Sequence, residues 1–294
     1  MLGKLLKNEF AKTWKISVLG FACSVVMSIL VTILFTIEGS MTSGVKFDSQ
    51  SFFVYEAILR TIAIVGVVSI LVVPVALFIY YCIHFYKTMY STQGYLTHTL
   101  PVSPLASFNV KLLVSSIWMI AWVVLMAITL LVIAIVCSGA RLSELFGPEV
   151  RAAIREVVNE VNGELGAVLG ASFGDLVWIF ISSILIGIVS GFMFIFTPLT
   201  IGQLSNTHKI GVSIGVGVAI NFAQNIISGI VTVVLTAKTF ITQLSPENSY
   251  NEAYLDFSGF FNSTLWLSFG LAIGICAIEY VIDILIIRKH INLE

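Results

Sequence analysis

The chain has 294 residues, of which 58% are hydrophobic and 11% charged, against roughly 25% charged in an ordinary soluble domain. With a mean hydropathy of +1.01, this composition excludes a water-soluble globular domain and marks an integral membrane protein. The formal net charge of -1 selects no charged partner, and nucleic acid is not expected as one.

A bilayer core takes about 20 apolar residues per helical span. That ruler finds six spans, at 16–37, 58–83, 112–136, 173–198, 210–236 and 262–287. The alternating ten-residue segments of a membrane β-barrel are absent from the sequence. The expected fold is therefore an all-α integral membrane protein, a single transmembrane domain over 1–294. Lys4, Lys7, Lys12, Lys15, Lys87, Lys111, Lys209, Arg288 and Lys289 fall on one side of the spans with few acids beside them. The cytoplasmic side keeps basic residues, so both termini are expected there.

Ahead of the first span, MLGKLLKNEFAKTWK at 1–15 sets Leu2, Leu5, Leu6, Phe10 and Trp14 at helical spacing, with lysines on other faces. This pattern predicts an interfacial helix on the inner leaflet. GFAC at 20–23 partly matches a lipoprotein cleavage site, but Phe21 is wrong for one and the apolar run continues to Ile37. An uncleaved first span is expected. Cys23, Cys82, Cys137 and Cys276 stand singly, without metal or redox spacing. Pro74 falls near the middle of the second span, where it removes one backbone bond and favours a kink.

YSTQGYLTHTLPVSPLASFNVK at 90–111 joins spans two and three. Pro101 disfavours helix at Leu100, while Ser103 followed by Pro104 makes a cap and a first helical position. The third helix is expected to begin at Pro104, before the membrane. A short element over about 91–100 should cross the cytoplasmic face, with Tyr95, Leu96 and Leu100 as its apolar groups. The outer insertion at 138–172 is longer than a bare connection needs. Within it, Val150, Ile154, Val157, Val158, Val161, Leu165, Val168 and Leu169 share one stripe, beside a row of Glu156, Glu160 and Glu164. An amphipathic helix is predicted, its apolar face against the bundle's outer end or a second subunit and its acids in water.

The last three spans carry GIVSG at 187–191, GVSIG at 211–215 and GLAIG at 270–274. These G-x-x-x-G patterns allow close helix approach, within a subunit or between two. NFAQN places Asn221, Gln224 and Asn225 on one face of span five. Amides at that depth must face protein or water, so they either bond helix to helix or line a passage. Span six holds Glu279 and Asp283 at i, i+4. Asp283 could reach Arg288 or Lys289, whereas Glu279 lies roughly 13 Å from Arg288 along the axis. That is too deep to snorkel, so Glu279 is expected to be neutral or paired with another helix. The chain contains neither G-x-x-x-x-G-K-[ST] nor H-E-x-x-H, so P-loop binding of ATP is excluded and no catalytic or metal-ligating set is expected.

GYLTHTLPVS at 94–103, KLLVSSIW at 111–118, IGQLSNTHKI at 201–210 and the lysine-rich start resemble permease subunits of bacterial type-2 ATP-binding-cassette exporters, in the form common in Gram-positive bacteria. The resemblance spans essentially the whole chain in the number and order of spans. It implies a non-catalytic subunit of the cell membrane that pairs with a second permease, the same or different, and with separate ATPase subunits that hold ATP and Mg. It maps Gly94, Tyr95, Leu96, Thr97, His98, Thr99, Leu100 and Pro101 onto the coupling helix that contacts the ATPase. Residues 201–210 fall on the second cytoplasmic loop. Gln93 stands where an acid often precedes the glycine, and Pro104 where a base often follows the serine.

Two other classes are compatible with the residues. One is a proton-coupled secondary transporter with Glu279 and Asp283 as relay. The other is a sensor or immunity protein that binds an extracellular peptide through the helix at 149–169.

Overall fold

Long apolar runs in lipid must satisfy their backbone internally, which a helix does residue by residue. The computed structural model describes residues 2–44, 50–91, 94, 103–137, 147–160, 162–163, 172–205, 207–243 and 257–289. All regular structure among these residues is helical. The helices are α1 (Leu2–Gly44), α2 (Gln50–Met89), α3 (Pro104–Cys137), α4 (Pro148–Glu160), α5 (Phe173–Gly202), α6 (Lys209–Gln243) and α7 (Phe257–Lys289). All except α4 are long and apolar enough to cross a membrane, and they coincide with the six expected spans.

The ends follow local chemistry. The helix α3 starts at Pro104, as the Ser-Pro pair predicts, and the Ala106 N–H donates to Ser103 Oγ at 3.3 Å. A capping box starts α5: Ser172 Oγ accepts from the Gly174 N–H at 3.4 Å, and Asp175 accepts from the Ser172 N–H at 3.2 Å. The expected interfacial helix and first span form one uninterrupted helix of 43 residues, because no proline or glycine separates Phe10 from Leu19. At 1.5 Å per residue α1 is roughly 65 Å long, about twice a hydrocarbon core. Its ends must project from that core. Pro74 lies inside α2, which continues through it.

The chain divides into two units: Met1–Thr88 with Leu100–Val150, and Met89–Thr99 with Arg151–Glu294. In the first unit α1 packs on α3 through a polar seam. Glu9, Thr13, Ser17, Ser24 and Ser28 are buried, whereas Leu2, Trp14 and Leu19 are exposed. Lipid is as apolar as leucine, so helices in it join through small residues and hydrogen bonds. Here the Trp118 indole donates to Thr13 Oγ1 at 3.1 Å and the Trp122 indole to Ser24 Oγ at 3.4 Å. Ser17 gives its hydrogen to the Thr13 carbonyl at 2.9 Å, so the Tyr81 hydroxyl, 2.6 Å away, donates to Ser17.

In the second unit α5 packs on both α6 and α7, and α6 packs on α7. Phe192, Met193 and Phe196 are fully buried there. The α5–α6 turn closes on Gly202, where a Cβ would come 2.8 Å from the Lys209 carbonyl oxygen. Five glycines of the G-x-x-x-G patterns make no such approach. A Cβ at Gly187, Gly215, Gly270 or Gly274 would meet open space, and one at Gly211 only His208 at 3.9 Å. On α4, Val157 is exposed and Val158 half-buried within this chain. The side chains of Val150 and Ile154, and all of Val161, Leu165, Val168 and Leu169, lie outside the described residues.

Candidate functional site: a buried carboxylate pair and the segment beside it

The i, i+4 spacing on α7 turns Glu279 and Asp283 to one face, and both are buried, at 4% and 0% exposure. Glu279 Oε1 accepts from Gln224 Nε2 of α6 at 2.8 Å. Asp283 Oδ2 accepts from Thr197 Oγ1 of α5 at 2.9 Å. Each carboxylate therefore ties α7 to a different neighbour, and the expected helix partner of Glu279 is Gln224. Asp283 does not take the arginine that its position near the interface suggested. It faces the helix core, while Arg288 is exposed. The second oxygen, Asp283 Oδ1, is sealed from solvent with no hydrogen bond among the described residues. A buried polar atom left so costs about 1–3 kcal/mol.

Beside Asp283 stands a second polar chain. Tyr90, the residue after α2, has its hydroxyl 2.8 Å from Thr200 Oγ1. Thr200 gives its own hydrogen to the Phe196 carbonyl at 2.8 Å, so the phenol donates. Burial pushes the Tyr90 phenol up, which keeps that donor protonated at neutral pH. Four residues on, the Gly94 N–H donates to the Ser91 carbonyl at 2.6 Å. A Cβ on Gly94 would fall on the backbone carbonyl of Met89, so this turn requires glycine. The start of the expected coupling element is thus bonded to α5 one turn from Thr197. Tyr95, Leu96, Thr97, His98, Thr99, Leu100 and Pro101 lie outside the described residues.

The helices α5, α6 and α7 line an open-sided cavity of about 470 Å³ bounded by Asn221, Gln224 and Glu279, with Ser190, Phe194 and Ser228 among the facing residues. The amide trio divides. Asn225 is exposed and bonds back to Asn221, at 2.8 Å to its carbonyl and 3.1 Å to its Oδ1. Among the described residues no group of three His, Cys, Asp or Glu could hold a metal ion.

Sequence reasoning overlooked Glu9. It is the one acid among four lysines in residues 1–15, and that inversion was the available signal. Glu9 is 5% exposed and Lys111 is 3% exposed. Lys111 Nζ lies 2.8 Å from Glu9 Oε1, His84 Nε2 lies 3.2 Å from Oε2, and Lys12 Nζ lies 3.4 Å from Oε1. One carboxylate thereby joins α1, α2 and α3. Comparison with models of protein families, with characterised proteins and with solved structures returned no match.

Proposed function

We propose that the chain is the membrane-spanning permease subunit of an ATP-driven exporter in a bacterial cell membrane, with both termini cytoplasmic. It works beside separate ATPase subunits, which hold ATP and Mg, and a second permease subunit, the same or different. On this reading the first turns of α1 rest on the inner leaflet lipid, the segment from Tyr90 to Pro101 is the coupling element, and α4 is extracellular. The chain itself is not an enzyme and holds no cofactor.

The observation that carries this reading is the Tyr90–Thr200 bond, with the glycine-closed turn that follows it. A push on the segment after Tyr90 would be delivered to α5 beside the Thr197–Asp283 bond. Moving α5 against α7 would then alter the cavity that Glu279 and Gln224 close, and so change access to it. Exposed Asn225 adds support, since an amide at that depth needs water or another subunit.

Tagged chain drawn from native membranes should bring a nucleotide-hydrolysing partner with it. Recovery of none, together with full transport after ATP depletion, would exclude the reading. Tyr90→Phe removes only the donor, worth about 0.5–1.5 kcal/mol. It should lower transport about two- to tenfold while moving the thermal midpoint by only a few degrees. The same carboxylate pair supports a second reading, proton-coupled transport. Under it Glu279→Gln abolishes transport while ATP depletion at a constant proton gradient does not.

A further inference from the structure

We infer that the cavity between α5, α6 and α7 is a binding site for a small amphiphile bearing a protonated amine, with Glu279 as its counter-ion. The site needs no ATPase, so it stands whether or not the chain is a permease subunit. Its volume of about 470 Å³ lies inside the roughly 300–1,000 Å³ typical of small-molecule sites.

Part of the polar lining is set to accept. Glu279 Oε1 is taken by Gln224, while Oε2 makes no hydrogen bond to a described residue. Ser190 gives its hydrogen to the Gly187 carbonyl at 3.3 Å, and Thr232 gives its own to the Ser228 carbonyl at 2.9 Å. Hydroxyls spent in this way turn lone pairs, not hydrogens, to the cavity. Glu279 is the one ionisable side chain among the described lining residues. A charged carboxylate in a membrane interior is retained where it faces a partner or a path, and here the lining supplies no cation to meet it. A primary ammonium brings both the charge and three donors to this arrangement. Phe194, Leu267, Leu271 and Ile275 form an apolar wall for the rest of such a ligand, and the Phe194 ring adds a face that attracts cations.

The test uses the purified full chain in lipid nanodiscs and radiolabelled 2-phenylethylammonium as probe. Saturable binding at one site per chain is expected, unaffected by excess phenylacetate or 2-phenylethanol. Glu279→Gln should weaken it about thirtyfold or more, as losing one partner of a buried charge pair does. Because that change could disturb α7, Ser228→Cys provides a second readout. Labelling of the introduced thiol by a maleimide should be slowed at saturating probe and not by phenylacetate. Absence of saturable binding overturns the proposal. So does binding that survives Glu279→Gln unchanged, equal competition by 2-phenylethanol, or a thiol in the Ser228→Cys variant that the probe does not protect.

Discussion

Glu9→Ala should destabilise the first unit by about 3–5 kcal/mol, the usual cost of leaving one member of a buried ion pair alone. Lys111 is 3% exposed and its ammonium lies 2.8 Å from Glu9. Without that carboxylate it has lost its ion-pair partner in a place where water cannot replace it. Lys111→Ala should cost less, because Glu9 keeps His84 at 3.2 Å and Lys12 at 3.4 Å. The double change Glu9→Leu with Lys111→Met leaves no buried charge and should recover most of the loss. Lys4→Ala or Lys7→Ala, on the exposed side of α1, should stay within about 0.5 kcal/mol of the parent. Thermal unfolding in lipid nanodiscs measures all of these variants. A double variant as damaged as Glu9→Ala would mean that packing, not charge, holds α1 to its neighbours.

Gly94→Ala should abolish most coupled transport while leaving the chain folded in the membrane. The added methyl falls on the Met89 backbone, which cannot swing aside as a side chain can. The Gly94–Ser91 bond and the Tyr90–Thr200 bond hold the turn from both sides. Overpacking of this kind costs about 1–3 kcal/mol. A tenfold or larger fall in transport and in ATPase stimulation is expected, on the order of 1.4 kcal/mol. Gly215→Ala and Gly274→Ala give the internal contrast. Both meet open space within helices, where alanine is favoured over glycine by about 0.5–1 kcal/mol. Equal damage from all three would show that the Gly94 turn has no special role.

The membrane class, the six spans and the start of α3 were legible in the sequence because each depends on local chemistry. Span length answers to bilayer thickness, and Ser103-Pro104 is a cap whatever surrounds it. The facing of the helices was not legible by the rule used for soluble proteins. The apolar stripe of Leu2, Leu5, Leu6, Phe10 and Trp14 marks the lipid side of residues 1–15 and leaves the protein-facing side of α1 unidentified. Lipid accepts those side chains, while Glu9, Thr13, Ser17, Ser24 and Ser28 require protein partners. Their own spacing, mostly of four residues, marks the seam once the polar residues are followed instead of the apolar ones. At Gly187, Gly215, Gly270 and Gly274 the G-x-x-x-G patterns bring no close approach within this chain, because small residues permit it without compelling it. For the candidate site, sequence reasoning placed Gln224 and Glu279 at membrane depth and expected Glu279 to be neutral or paired with another helix. That these two meet depends on the rotation of α6 against α7, and no local pattern encodes that rotation. Asp283 turned inward to Thr197 instead of outward to Arg288 for the same reason.

On the proposed reading the segment after Tyr90 receives force from a separate ATPase. The most direct measurement places a photo-reactive p-benzoylphenylalanine at His98 and illuminates native membranes. A covalent adduct with a nucleotide-binding subunit is expected, at a yield that changes when ATP is depleted. An adduct with lipid or with this chain alone, in membranes that still transport, would contradict it.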